Sequence, residues 1–165
     1  MNQKKFIAGE QRGTYLAPEL LTEADILNMA QKLARRRLAK GRVINQPELA
    51  FEYLQTLLQH YEHEVFGVVF LDNQHRILGF EELFRGTIDA ASVYPREVVK
   101  RALTYNAAAL ILVHNHPSGN PEPSKADTSI TLRIRDALNL VDIRVLDHVV
   151  VGMEGCVSLA TRGLI

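Results

Sequence analysis

Two histidines two residues apart, His114 and His116, close the apolar run Ala108 to Val113. Alternate side chains of an extended strand share a face, so both imidazoles point one way and Asn115 points the other. That geometry suits one metal ion. Zinc in a catalytic centre takes three protein ligands from His, Asp, Glu or Cys and keeps its fourth position for water. Asp127 is the candidate third ligand, because the polar loop Ser118 to Pro123 is long enough to fold the start of the next helix back over the strand end. Ser124 lies one turn before it. The same four residues, Ser124 to Asp127, fit a capping box, with serine at the N-cap and aspartate near the positive end of the helix dipole. An isolated His-x-His is also more often structural than metal-binding, so the weight rests on the combination.

Rival chemistries fail on the same residues. His63-Glu64 begins the His-Glu-x-x-His pattern of a helical zinc protease, but position 67 is glycine. One cysteine, Cys156, excludes the Pro-Cys-x-x-Cys element of zinc deaminases, an internal disulfide and a Cys-x-x-Cys redox pair. The adjacent letters His-Asn-His do not make an HNH nuclease, whose named residues are dispersed over a longer metal-binding fold.

These residues need elements to hold them, and hydrophobic periodicity supplies an order. A helix is expected from Thr22 to Lys40, with Thr22 and Asp25 as a capping box, Ile26, Met29, Ala30, Leu33 and Ala34 on one face, and Gly41 as the stop. Residues 1–21 show little periodicity and read as an extended arm. A second helix should start at Pro47 and run to Tyr61. Val65 to Leu71 is almost continuously apolar, as expected of a strand covered on both faces. Asp72-Asn73 turns the chain into a return strand, Arg76 to Phe84, which Arg85-Gly86-Thr87 breaks. A helix from Pro95 to Asn106, the strand Ala108 to Val113, a helix from Ser124 to Leu140, and strands Ile143 to Val151 and Cys156 to Leu159 complete the order. The expected fold class is α/β, a mixed sheet with helices packed on its faces.

Composition bounds the function. At 165 residues the chain has enough length for one core, and 47% hydrophobic with 23% charged residues excludes a largely disordered protein. Nineteen basic and nineteen acidic residues cancel, so bulk charge gives no reason for coating nucleic acid or an anionic membrane. No apolar run approaches the roughly 18 residues of a membrane helix. With no secretory signal pattern at the N-terminus and one cysteine, a reducing cytoplasm is the expected setting. The charge is uneven, with nine Lys/Arg against four Asp/Glu in residues 1–45. Lys32, Arg35, Arg36, Arg37, Lys40 and Arg42 form a basic cluster that could touch phosphates, although cations near a helix C-terminus are commonly a solvated face.

The spacing His-x-His-Pro, six residues, Ser, two residues, Asp resembles the JAMM metalloprotease motif, here at His114, His116, Pro117, Ser124 and Asp127. Beyond the motif, the chain from about Asn45 onward resembles the RadC family in HNHPSG at residues 114–119, the Gly-Thr of FRGTID, YPREVVKRAL, and LDHVVVG at residues 146–152. The resemblance implies a RadC-like JAMM/MPN domain over 45–165, with the α-β-α architecture also seen in cytidine deaminases, which leaves the N-terminal arm and basic helix as a separate segment over 1–44. It also implies a glutamate at the start of an early core strand, and Glu64 holds that place.

The activity so implied is hydrolysis of a peptide or isopeptide bond, with zinc (Zn2+) as cofactor and a peptide or protein as substrate. His114, His116 and Asp127 would hold the metal, Glu64 would take the proton of the attacking water and pass it to the leaving amine, and Ser124 would donate to the developing oxyanion. No Gly-containing hairpin between two helices, the DNA-binding element of many RadC proteins, precedes Asn45. The alternative is a DNA-associated accessory domain with a structural or vestigial zinc site. His148, beside Asp147, is read as structural or as a partner of the metal ligands, and Cys156 as a small core residue.

Overall fold

Seven consecutive residues, Val65–Leu71, are all buried, which their unbroken apolar character requires and only a central strand satisfies. The computed structural model describes residues 5–86 and 92–165. Thr87 of the expected strand breaker lies outside them. In chain order the elements are β1 (Ile7–Ala8), β2 (Tyr15–Leu16), α1 (Glu23–Arg37), α2 (Pro47–Leu58), β3 (Val65–Leu71), β4 (Ile77–Arg85), α3 (Pro95–Thr104), β5 (Ala109–Asn115), α4 (Lys125–Asn139), β6 (Arg144–Gly152) and β7 (Gly155–Ser158).

Two compact units divide within α1, at Leu33/Ala34. In the first, β1 and β2 pair antiparallel, Ile7 with Leu16 and Ala8 with Tyr15. The extended arm expected over residues 1–21 contains, among the described residues, a small hairpin, invisible to periodicity because two-residue strands are too short to show alternation. The box at the start of α1 forms as expected: Asp25 Oδ2 accepts from Thr22 N at 2.9 Å, and Thr22 Oγ1 accepts from Asp25 N at 3.2 Å. Ile26, expected on the apolar face, is 54% exposed.

The second unit is built on a five-stranded sheet of order β4-β3-β5-β6-β7, in which only β5 and β6 run parallel. Period two divides its side chains. Val65, Val69, Ala109, Ile111, Val113, Val149 and Val151 pack with Leu54, Leu57 and Leu58 of α2. Phe66, Val68, Phe70, Leu110 and Leu112 pack on the other face with Val98 and Ala102 of α3 and Ile134 and Leu138 of α4. Each fully buried side chain of this size contributes ~1.5–3 kcal/mol relative to exposure, so these two layers hold the sheet rigid beneath the site. The mixed sheet and flanking helices are those expected of the α/β class.

Two boundaries differ in ways that matter. α2 ends at Leu58 rather than Tyr61, because the chain turns to enter β3 and the Tyr61 hydroxyl donates to Glu82 Oε1 at 2.9 Å. β5 runs two residues past Val113, so His114 and Asn115 belong to the ladder, opposite Phe66 on one side and Val150 and Val151 on the other. The loop after it is packed down. A Cβ on Gly152 would lie 2.3 Å from Gly119 O and 2.8 Å from Pro121, so only glycine admits the loop this close to the β6–β7 turn.

Candidate metal centre

His114 leaves β5 on the α4 side of the sheet, and His116, one residue past the strand, follows it. The His116 backbone N–H donates to Val151 O at 2.8 Å, which carries the strand alternation through to the second imidazole. The two Nε2 atoms lie 2.9 Å apart. From the other side, the first turn of α4 brings Asp127, with Oδ1 3.2 Å from His114 Nε2 and Oδ2 3.4 Å from His116 Nε2. Glu64, just before β3, places Oε1 4.0 Å from His114 Nε2. Ligand atoms of Glu64, His114 and His116 all lie within 4.8 Å of one another.

Hydrogen-bond direction fixes which ring nitrogens face inward. A backbone carbonyl only accepts, so Asn120 O, 2.8 Å from His116 Nδ1, requires the proton on that nitrogen. For His114 the chain of inference is longer. Thr131 Oγ1 donates to Asp127 O at 2.6 Å, so it accepts from His148 Nδ1 at 2.5 Å. His148 Nε2 then carries a lone pair and accepts from His114 Nδ1 at 2.7 Å. Both Nε2 atoms thus point toward each other and toward the Asp127 carboxylate, each presenting a lone pair while its ring is neutral and an N–H donor to Asp127 once the ring is protonated. Such an arrangement needs a cation between its members, either a proton or a metal ion.

The electrostatics agree. The hydrogen bond to Asp127 raises the pKa of His116 against the opposing effect of burial, with Asn120 O helping. Burial pushes the Asp127 carboxyl up, but the hydrogen bonds from His114 and His116 outweigh it and hold the group ionised, well below its usual range. Complete burial lowers the pKa of His148 and keeps it neutral, as its accepting role demands, and charge at His114 pushes the same way. Phe66 closes the floor, its ring 6.2 Å from that of His114 and 5.4 Å from that of His148.

Zinc ligands about 2.0–2.1 Å from the metal in a tetrahedron lie roughly 3.3 Å from one another. His114 Nε2 lies 2.9 Å from His116 Nε2 and 3.2 Å from Asp127 Oδ1, which fits that spacing, while His116 Nε2 lies 3.4 Å from the other carboxylate oxygen, Oδ2; the hydrogen-bonded rear nitrogens supply the support that metal-bound histidines require. Glu64 stands farther out. His114 is buried, whereas the side chains of Glu64, His116 and Asp127 retain 14%, 18% and 15% exposure, so the centre opens to solvent on one side.

Capping leaves one oxygen of Asp127 facing the histidines. Ser124 is the N-cap of α4, its Oγ accepting from Asp127 N at 3.1 Å, while Asp127 Oδ2 accepts from Ser124 N and Ser124 Oγ, each at 2.7 Å. The box occupies Oδ2 and leaves Oδ1 facing His114. Sequence reasoning gave no role to Thr131, Asn120 or the side chain of Asn115, and left that of His148 open. Their partners come from other elements, and only the fold brings them together.

The α/β domain with a His-x-His strand end, a capped aspartate above it and a glutamate beside it is of the JAB class. The chain belongs to the RadC-like JAB domain family, whose profile matches residues 44–164. It is 57% identical over 152 residues to a UPF0758 protein of Vibrio cholerae, covering 92% of this chain and 96% of that one. A UPF0758 protein of Cellvibrio japonicus is 52% identical over 162 residues, covering 98% and 71%. One of Thioalkalivibrio sulfidiphilus is 59% identical over 140 residues, covering 85% of this chain and 62% of its own length. Among the described residues no helix is long and apolar enough to cross a membrane.

Proposed function

We propose that the chain is a zinc-dependent hydrolase of peptide or isopeptide bonds. The observation that carries this reading is the convergence of His114 Nε2, His116 Nε2 and the Asp127 carboxylate, with Glu64 Oε1 4.0 Å from His114 Nε2 and solvent at the open side. His114, His116 and Asp127 hold the metal. Zinc at this place supplies Lewis acidity, lowering the pKa of water toward roughly 7. Glu64 accepts the proton of the attacking water on its carboxylate and returns it to the leaving nitrogen, which requires it to stay off the metal. Ser124 exchanges its hydrogen bond to Asp127 for one to the oxyanion.

The substrate is a peptide or protein chain, and the single, partly buried Cys156 suits a reducing cytoplasm. The DNA-associated alternative draws on the basic cluster, but Arg35 donates to Tyr61 Oη at 3.2 Å and to Glu82 at 3.3 Å, which takes one of its cations out. Elemental analysis of purified protein, paired with cleavage of a peptide and isopeptide library, tests the reading. About one zinc per chain and chelator-sensitive cleavage are expected; full zinc retention after replacing both His114 and His116 by alanine overturns it.

A further inference from the structure

We infer that Asn115, the residue between the two histidines, is the positioning residue for Glu64. Its side chain leaves β5 on the face opposite His114 and is only 2% exposed. Oδ1 accepts from Val65 N at 2.7 Å, and Nδ2 donates to His63 O at 3.1 Å. These are the backbone groups on either side of Glu64. The partners leave no choice of orientation, since one is an N–H and the other a carbonyl. Glu64 O meanwhile accepts from Gly86 N at 2.8 Å, so its backbone is tied both to β5 and to the residue after β4.

The consequence concerns distance. One tripeptide presents the two imidazoles on one face of β5 and grips the backbone around the proton acceptor from the other. The separation of Glu64 from the metal ligands is therefore set within a single strand rather than through the mobile sum of several loops. Only an amide of this length offers both an acceptor and a donor there; alanine leaves a buried N–H and a buried carbonyl unpaired. This inference rests on the proposed hydrolysis for its catalytic consequence, while the clamp itself has an independent readout.

The test uses the full chain carrying Asn115→Ala, with Asn115→Ser, which keeps one polar group, as the variant for the case in which alanine does not fold. In metal-free protein, amide exchange at Val65 should accelerate at least tenfold while that of Leu112 and Val149 stays at the wild-type rate. In zinc-loaded protein, kcat should fall roughly 10- to 100-fold, the scale of a misplaced reacting group, with KM and zinc affinity within about threefold. Placed on Glu64→Gln, Asn115→Ala should cost nothing further. Unchanged exchange at Val65, or an equal loss of rate in the Glu64→Gln background, overturns the assignment. If wild-type protein hydrolyses nothing, the functional reading fails and the exchange data alone decide the clamp.

Discussion

His148 Nε2 accepts a hydrogen bond from His114 Nδ1 at 2.7 Å, and both rings are buried against Phe66. The bond joins residues 34 apart in sequence and sets the ring orientation of a proposed metal ligand. His148→Ala frees the His114 ring and leaves its Nδ1 without an acceptor. Zinc affinity measured by chelator competition should fall roughly 10- to 100-fold, the usual cost of losing such a partner. Affinity equal to wild type in a folded variant would show that the bond is incidental.

Ser124→Ala removes the N-cap of α4 and should lower stability by about 1 kcal/mol, read from thermal or urea melts. Zinc should remain bound, because Asp127 Oδ1 still faces His114. Hydrolysis measured well below the melting temperature should fall further than the stability loss explains, and Ser124→Thr should restore it. Equal activity in Ser124→Ala would remove the serine from the oxyanion role.

Away from the centre, Arg101 Nε donates to Glu81 Oε2 at 2.8 Å and Tyr105 Oη donates to Glu81 Oε1 at 2.6 Å, tying α3 to β4. The Arg101 hydrogen bond is the main cause of a Glu81 pKa below its ordinary 4.5. A carboxyl depressed on folding stabilises the native state above its unfolded pKa and loses that contribution as pH falls through the folded value. Glu81→Gln should therefore cost about 1 kcal/mol at neutral pH, and the gap to wild type should narrow as pH drops below 4.5. A gap that widens on acidification would contradict the assignment.

Burial pushes the Cys156 thiol up to about 11, and its Sγ lies 3.6 Å from Phe51 O. At pH near 8 the thiolate is scarce, so alkylation of native protein should run on the order of 10²-fold slower than in denaturant. Labelling at the unfolded rate would place the thiol in a different environment.

Local patterns made part of this molecule legible in its sequence. The continuous apolar stretch gave β3 its bounds, and the four-residue spacing of Ser124 and Asp127 gave the cap of α4, because both signals lie within one element. Period two put Asn115 opposite the histidines, but its grip on Val65 spans 50 residues and needs the β3–β5 register to be seen. Glu64 came only through family resemblance, since a carboxylate before a strand is ordinarily solvated. The His148 relay was out of reach for the same reason as the Asn115 clamp: hydrogen bonds between strands leave no periodic trace.

The most direct test of the account is the rate at which zinc-loaded Glu64→Gln cleaves a peptide or isopeptide substrate of the wild-type protein. Glutamine keeps the size of the side chain and removes the carboxylate base, while His114, His116 and Asp127 are untouched. The variant should retain about one zinc per chain and lose roughly 10² or more in rate, the range of lost general acid-base catalysis. Cleavage at the wild-type rate with zinc in place would contradict the account and assign activation of the water to another group.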